Sequence, residues 1–371
     1  MTTLHVFNPE HDLALASSLT MFTPPHAARQ LRFDLGFMPA LWAADGDCVL
    51  VDDIEQATRG YQLYTGYAVR RRRSLPHQPH FVTERDLRQL HIDNIDVWGW
   101  DAPVCHRLKR DGISDSLLPT ADTLFEISLL SHRRTSMQLL QSLRSRLGND
   151  VTGLARECRS IDELRSAATD NIVIKAPWSS SGRGVRFVTQ DISVQTLGWL
   201  QHVIERQGSV MVEPLYDRLC DFGMEFHTDG QGHTEYLGLS LFHTANGAYT
   251  GNLLATETRK RLLLGRLIAP QLLLDVRQAI CQLTGQLFCG RYAGPFGIDM
   301  MVVRPQNASA DNQCLLHPCV ELNLRRTMGH VALALTPDDD GVTQVMRITP
   351  PGEHYRLVIQ PLDEGKHVKT L

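Results

Sequence analysis

Apolar positions along the chain fall into short runs rich in β-branched residues, separated by stretches of helical period. Residues 4–7, 48–51 and 96–98 read as strands, the second closed by Asp52 and Asp53, and a helix is expected over 84–90. Together they make a small α/β sheet. The first strand runs into Asn8, Pro9, Glu10, His11 and Asp12, then Leu-Ala-Leu-Ala. Asn8 as N-cap, Pro9 as first helical residue and Glu10 in the first turn make an ordinary helix start. Alternatively, a loop leaving the carboxyl end of a first parallel strand borders a binding crevice, where Glu10, His11 or Asp12 meets substrate.

From about residue 122 the pattern is helical, broken at Ser131, His132, Arg133 and Arg134. Ser131 is expected to cap the new helix, whose Met137, Leu140 and Leu143 recur about one turn apart. Arg133 and Arg134 then sit at the positive end of the helix dipole. A polyanion would relieve that repulsion, which makes Arg134 a phosphate candidate beside the alternative of simple solvation.

Residues 172–188 organise the chain. Ile172, Val173 and Ile174 deliver Lys175 at the end of a buried strand, and Val185, Phe187 and Val188 resume the pattern after Ser179, Ser180, Ser181, Gly182, Arg183 and Gly184. Small residues let backbone amides approach an anion, so this hairpin loop is a candidate phosphate cradle. A P-loop is excluded, because there the lysine follows the glycines and opens a helix. The alternative is a flexible hairpin with a snorkelling lysine.

A helix is expected over 194–205, then a strand ending at Glu213, Pro214 and Tyr216. Pro214 lacks an N–H, so the strand exit offers a carbonyl acceptor and a later amide donor, as an adenine edge requires, or serves as an interdomain linker. Strands 221–228 and 234–242 flank an Asp-Gly-Gln-Gly turn, and 260–288 is helical with a break at Pro270. An apolar strand carrying Asp299 follows. In 315–325, Glu321, Asn323 and Arg325 alternate on one face of an extended segment. With Asp299 on a neighbouring strand they form an oxygen-rich Mg²⁺ site beside a phosphate-binding arginine. The alternative pairs Glu321 with Arg325 as a salt bridge.

Length and charge narrow the class. A chain of 371 residues exceeds one core, so two or three lobes are expected. A net charge of −4 gives no reason to expect nucleic acid or an anionic membrane, and the run Arg70–Arg73 either steers an anionic substrate or is a solvated face. No apolar run reaches membrane length, and the amino terminus lacks signal-peptide character, so a cytoplasmic location is expected. The eight cysteines lack a C-x-x-C pair and read as reduced, mostly buried thiols, although Cys314 and Cys319 flank a segment that would suit a metal. His243 and His330 are substrate-contact candidates or ordinary hydrogen-bonded histidines.

Lys175 at a strand end, the glycine-rich hairpin, Val-Glu-Pro-Leu-Tyr, Gly-Met-Glu-Phe, Asp299 and Glu-x-Asn-x-Arg stand in the order found in ATP-grasp enzymes. The resemblance covers about residues 120–340. It implies an α/β (α+β) ATP-grasp fold with a preceding Rossmann-like pre-ATP-grasp domain over 1–120, a small subdomain over 121–212 and a large subdomain with the tail over 213–371. By resemblance, Lys175 and Arg134 hold ATP phosphates, with Arg134 where the family often has lysine. Ser180, Ser181, Gly182 and Gly184 close over the phosphates. Glu213, Pro214 and Tyr216 line the adenine slot, and Glu225 faces the ribose. Asp299, Glu321 and Asn323 bind Mg²⁺ or Mn²⁺, and Lys175 and Arg325 are catalytic, Arg325 steadying the transferring phosphoryl group. The implied chemistry is a ligase: ATP activates a small-molecule or peptide carboxylate as an acyl phosphate, captured by an amine or thiol, with ADP and phosphate released. The alternatives are a kinase acting on a hydroxyl and a non-catalytic ATP-binding regulator. A homodimer is compatible with the resemblance.

Overall fold

The computed structural model describes residues 1–70, 80–167, 171–179, 184–245, 248–305, 314–349 and 354–362. Arg71, Arg72 and Arg73 of the arginine run, together with Ser180, Ser181 and Gly182, lie outside the described residues. The chain divides into two compact units, one built from Met1–Ile127, Gly251–Thr256 and Arg325–Leu362, the other from Ser128–Thr250 and Glu257–Leu324.

In the first unit β1 (Thr3–Val6), β2 (Cys48–Leu50), β3 (His80–Val82) and β4 (Asn94–Val97) form a parallel sheet in the order β3-β2-β1-β4. Helices α1 (His11–Ser17), α2 (His26–Leu35), α3 (Ile54–Arg70) and α4 (Ala102–Arg110) belong to the same unit. Side chains alternate across each strand. Leu4, Val6, Cys48, Val82, Ile95 and Val97 enter one core cluster, whereas Phe7, Val49, Val51, Phe81 and Trp98 enter another, as in a sheet buried on both faces.

Two expectations fail here for local reasons. The segment expected to be helical over 84–90 holds only a 3₁₀ turn at Leu87–Gln89. Asp86 Oδ2 accepts from the backbone N–H and hydroxyl of Thr83 at 2.7 and 2.8 Å, closing a turn that competes with a helix. Asn8 is not the cap of α1, which starts after Glu10 without a side-chain cap. The Asn8 amide instead donates to Gly99 O at 2.7 Å and Asp101 Oδ2 at 3.0 Å, tying the loop after β1 to the loop after β4.

The second unit begins within α5 (Ala121–Ser131). His132, not Ser131, caps α6 (Arg133–Leu147), its Nδ1 accepting from Arg134 N at 2.9 Å. Leu140 and Leu143 are buried as expected, with Leu139 beside them and Met137 only half-buried. An antiparallel sheet joins β5 (Arg156–Cys158), β6 (Ile172–Lys175), β7 (Val185–Val188) and β8 (Val210–Pro214) in the order β5-β8-β6-β7. The central hairpin therefore forms, with Lys175 opposite Val185. Helices α7 (Ile161–Ala167) and α8 (Val194–Gln207) contribute Leu164, Leu200 and Val203 to its core.

A second set of antiparallel strands places β9 (Asp217–Thr228) between β10 (Thr234–Ala245) and β12 (Gly294–Arg304), with β13 (Leu315–Asn323) beyond β12. Strand β11 (Ala248–Leu254) carries the chain back to the first unit. The long helical stretch breaks at Pro270 as expected, giving α9 (Glu257–Leu264) and α10 (Pro270–Phe288). Ser136 on α6 accepts from Leu322 N at 2.9 Å and so fixes that helix against β13.

The first unit is completed by α11 (Met328–Ala334), β14 (Gln344–Thr349), paired with β11, and β15 (Arg356–Pro361). His330 is spent in a capping box with Thr327 at the start of α11. All eight cysteines are free thiols, and Cys314 and Cys319 belong to no metal cluster among the described residues.

Candidate functional site

Register builds the site. On the paired strands Asp299 lies opposite Glu321 and Gly223, and Gly297 lies opposite Asn323 and Glu225. Strand alternation therefore sets Glu225, Asp299, Glu321 and Asn323 on one face, while Phe222, Met224, Phe226 and Ile298 bury the other. Asn323 Nδ2 donates to Asp299 Oδ2 at 3.2 Å. Gly223 leaves a gap between two carboxylates: a Cβ there would lie 3.4 Å from Glu225 Oε1 and 3.5 Å from Asp299 Oδ1. No three His, Cys, Asp or Glu side chains converge for a metal among the described residues, so a cation here would depend on the Asn323 amide oxygen as well.

A cleft of about 420 Å³ opens along this face, with Lys175, Glu213, Asp299 and Glu321 in its lining. Lys175 Nζ is 2.6 Å from Glu213 Oε2 and 3.4 Å from Val320 O. Val173, Val185, Phe187, Phe242 and Met300 supply apolar wall, beside Pro214 and Tyr216. The Leu215 amide is already given to Asn171 O at 2.9 Å, so it is not the later donor expected from this strand exit. Tyr216 meets the His317 ring edge-on at 5.6 Å, and burial, reinforced by Lys175, pushes His317 down to about 3, keeping that ring neutral.

The other expected residues divide. Gly184 accepts from Ala176 N at 2.8 Å through its carbonyl, and a side chain there would collide with Ser179. Glu225 is 2% exposed and outside the cleft lining. Arg134 is held by Glu157 through its Nε at 2.6 Å and its Nη2, and that hydrogen bonding pulls Glu157 down to about 2. Arg325 lies beyond the end of β13, so strand alternation does not reach it, and it grips Asp12 with Nε at 3.0 Å and Nη2 at 2.7 Å. The alternative Glu321–Arg325 bridge gives way to two other pairs, Arg325 with Asp12 and Arg133 with Glu321.

Arg133 was missed by sequence reasoning. Its Nη2 is 2.5 Å from Glu321 Oε1, while Nη1 donates to Ser179 Oγ at 2.8 Å and to Ala176 O, so it joins the start of the loop to the carboxylate row. The adjacent pair Arg133 and Arg134 carried the signal, but two neighbours on a helix point about 100° apart and only packing selects one. Arg218, Asp221 and Thr244 also line the cleft and were unmarked in the sequence. Arg218 Nη1 and Thr244 Oγ1 each donate to Asp221 Oδ2 at 2.7 Å, against burial that raises the Asp221 pKa.

No protein-family model and no curated protein sequence matches the chain. Solved structures do. The biotin carboxylase domain of Hydrogenobacter thermophilus 2-oxoglutarate carboxylase, solved with MgADP, ADP and bicarbonate, aligns over 94% of this chain and 74% of its own, at 11% identity and a TM-score of 0.51. Staphylococcus aureus N5-carboxyaminoimidazole synthetase with ADP aligns over 94% and 82%, at 12% identity and 0.46. An Archaeoglobus fulgidus protein assigned to the ATP-grasp superfamily aligns over 98% and 100%, at 14% and 0.46. Identity this low, with the TM-score of 0.51, establishes a shared fold and nothing more specific.

Proposed function

Given that the chain has the ATP-grasp fold, we propose that it is an ATP-dependent ligase that activates a substrate carboxylate as an acyl phosphate for capture by an amine. The observation that carries this reading is the pairing of Asp299 with Glu321 across adjacent strands in a cleft that Lys175 also lines. Half-buried carboxylates placed side by side repel unless a cation or strong donor joins them.

In this reading ATP lies in the cleft, its base against Val173, Pro214 and Tyr216 and its phosphates towards Lys175 and Arg133. Asp299, Glu321 and the Asn323 amide oxygen fit a hard divalent cation, since all are oxygen donors, and Gly223 leaves the room a side chain would take. Mg²⁺, when bound, supplies charge neutralisation on the phosphates; Mn²⁺ offers the same donor preference. The ammonium of Lys175 and the guanidinium of Arg133 draw charge from the transferring group, which is where a weak carboxylate nucleophile needs most help. Gly184 borders the phosphate side, and exclusion of water there protects an acyl phosphate.

Thermal unfolding with ATP, ADP and a non-hydrolysable analogue, with and without Mg²⁺, tests the nucleotide site, because ligands that bind the folded state raise its stability. Phosphate release that requires both a carboxylate and an amine supports the ligase. Release with a hydroxyl substrate alone marks a kinase, and binding without turnover a regulator.

A further inference from the structure

The carboxyl edge of the parallel sheet holds a separate cleft of about 630 Å³ within the first unit. Its lining includes Asp52 and Glu55 after β2, Thr83 and Arg85 after β3, and Arg107 and Asp111 at the end of α4. Loops at this edge of an open parallel sheet are where such folds receive ligands.

Several of the charges around this edge are paired. Arg32 gives Nη1 to Glu10 Oε1 at 2.7 Å and Nε to Asp52 Oδ2 at 3.1 Å, and Arg110 holds Asp111 at 2.8 Å. The Arg107 side chain has no hydrogen bond or ion pair among the described residues, and its Nε is buried. Burial, then Arg32, lowers its pKa, opposed by the carboxylates of Glu10, Asp52 and Asp101. Glu10, 7% exposed, likewise keeps a buried Oε2 without a partner among the described residues. A guanidinium left unsatisfied in a cleft wall is a group awaiting an acceptor.

An isolated anion at Arg107 would face Asp52, Asp53, Glu55, Glu84 and Asp111, all in the same lining. An isolated cation drawn to those carboxylates would face Arg107 and Arg85. A small molecule carrying both charges satisfies both sides. We propose that this cleft binds a free α-amino acid, its carboxylate on Arg107 and its ammonium towards Asp52 and Glu55. The proposal concerns binding alone and stands without the ligase reading.

Calorimetric titration of the full chain, without nucleotide, with each proteinogenic L-amino acid tests it, with propionate and ethylamine as single-charge probes. At least one amino acid binds saturably, and neither single-charge probe does. Arg107→Met and Asp52→Asn each weaken that binding by about tenfold or more, the loss of one charge-assisted contact. Arg107→Met should melt no lower than the parent, since it removes a desolvated, unpaired charge. The proposal is overturned if no amino acid binds, if propionate or ethylamine binds as well as the amino acid bound most tightly, or if both variants bind unchanged. Nucleotide shifts measured separately keep its failure distinct from a failure of the ligase reading.

Discussion

Lys175 and Glu213 form an ion pair of 2.6 Å in which both side chains are 8% exposed, at the wall of the candidate nucleotide cleft. Removing one partner strands the other charge. Lys175→Met should therefore lower the unfolding free energy by about 3–5 kcal/mol, and Lys175→Met with Glu213→Gln should recover most of it. Urea unfolding measures both. Neither variant should keep an ATP-dependent thermal shift, which separates the role in stability from the role in binding.

Gly223 separates Glu225 from Asp299. An added methyl would touch Ile298 O at 3.3 Å and both carboxylates at slightly greater distance, so Gly223→Ala should fold with a stability change within about 1 kcal/mol. It should nevertheless weaken Mg²⁺-dependent nucleotide binding. Titrating Mg²⁺ against the ATP thermal shift reads this directly; an unchanged midpoint would remove Gly223 and its neighbours from the metal site.

The arginine neighbours are expected to part company. Arg134, 37% exposed and paired with Glu157, contributes about 1 kcal/mol or less as a partly solvated pair, so Arg134→Ala should leave ATP affinity near the parent's. Arg133 is 7% exposed against Glu321, and Arg133→Ala should lose the nucleotide shift. Fluorescent nucleotide titration of the two variants compares them.

His5 supplies a pH dependence. Burial works against its charge, but hydrogen bonds to Asp96 at 2.9 Å and Asp47 at 3.0 Å outweigh it and raise its pKa above 6.5. A raised base stabilises the fold fully below its unfolded pKa, and the contribution disappears as pH climbs through the folded value. Asp96 runs the other way: burial opposes its charge, yet His5 and Arg326 draw it down to about 2, so its contribution holds above 3.8 and fades as pH falls towards 2. Stability of the first unit should thus peak between those limits. His5→Asn should flatten the alkaline decline in urea midpoints, and a decline that persists in the variant would place its cause elsewhere.

Much of this was determined by the sequence itself. The β-branched apolar run before Lys175, the apolar restart at 185–188 and the alternation of Glu321 with Asn323 were legible, because composition and strand alternation are local and need no partner to be read. Helix breaks at Pro270 and the turn after Thr228 were equally local. Tertiary structure decided the rest. The pairing register brought Asp299 beside Glu321 and opened the gap at Gly223. Packing of α6 chose Arg133 over Arg134 for the loop, and the loop after β4 took Asn8 from its capping role. Each of these choices depends on groups far apart in the chain whose meeting fixes which hydrogen bond a side chain makes, and a one-dimensional pattern does not carry that distance.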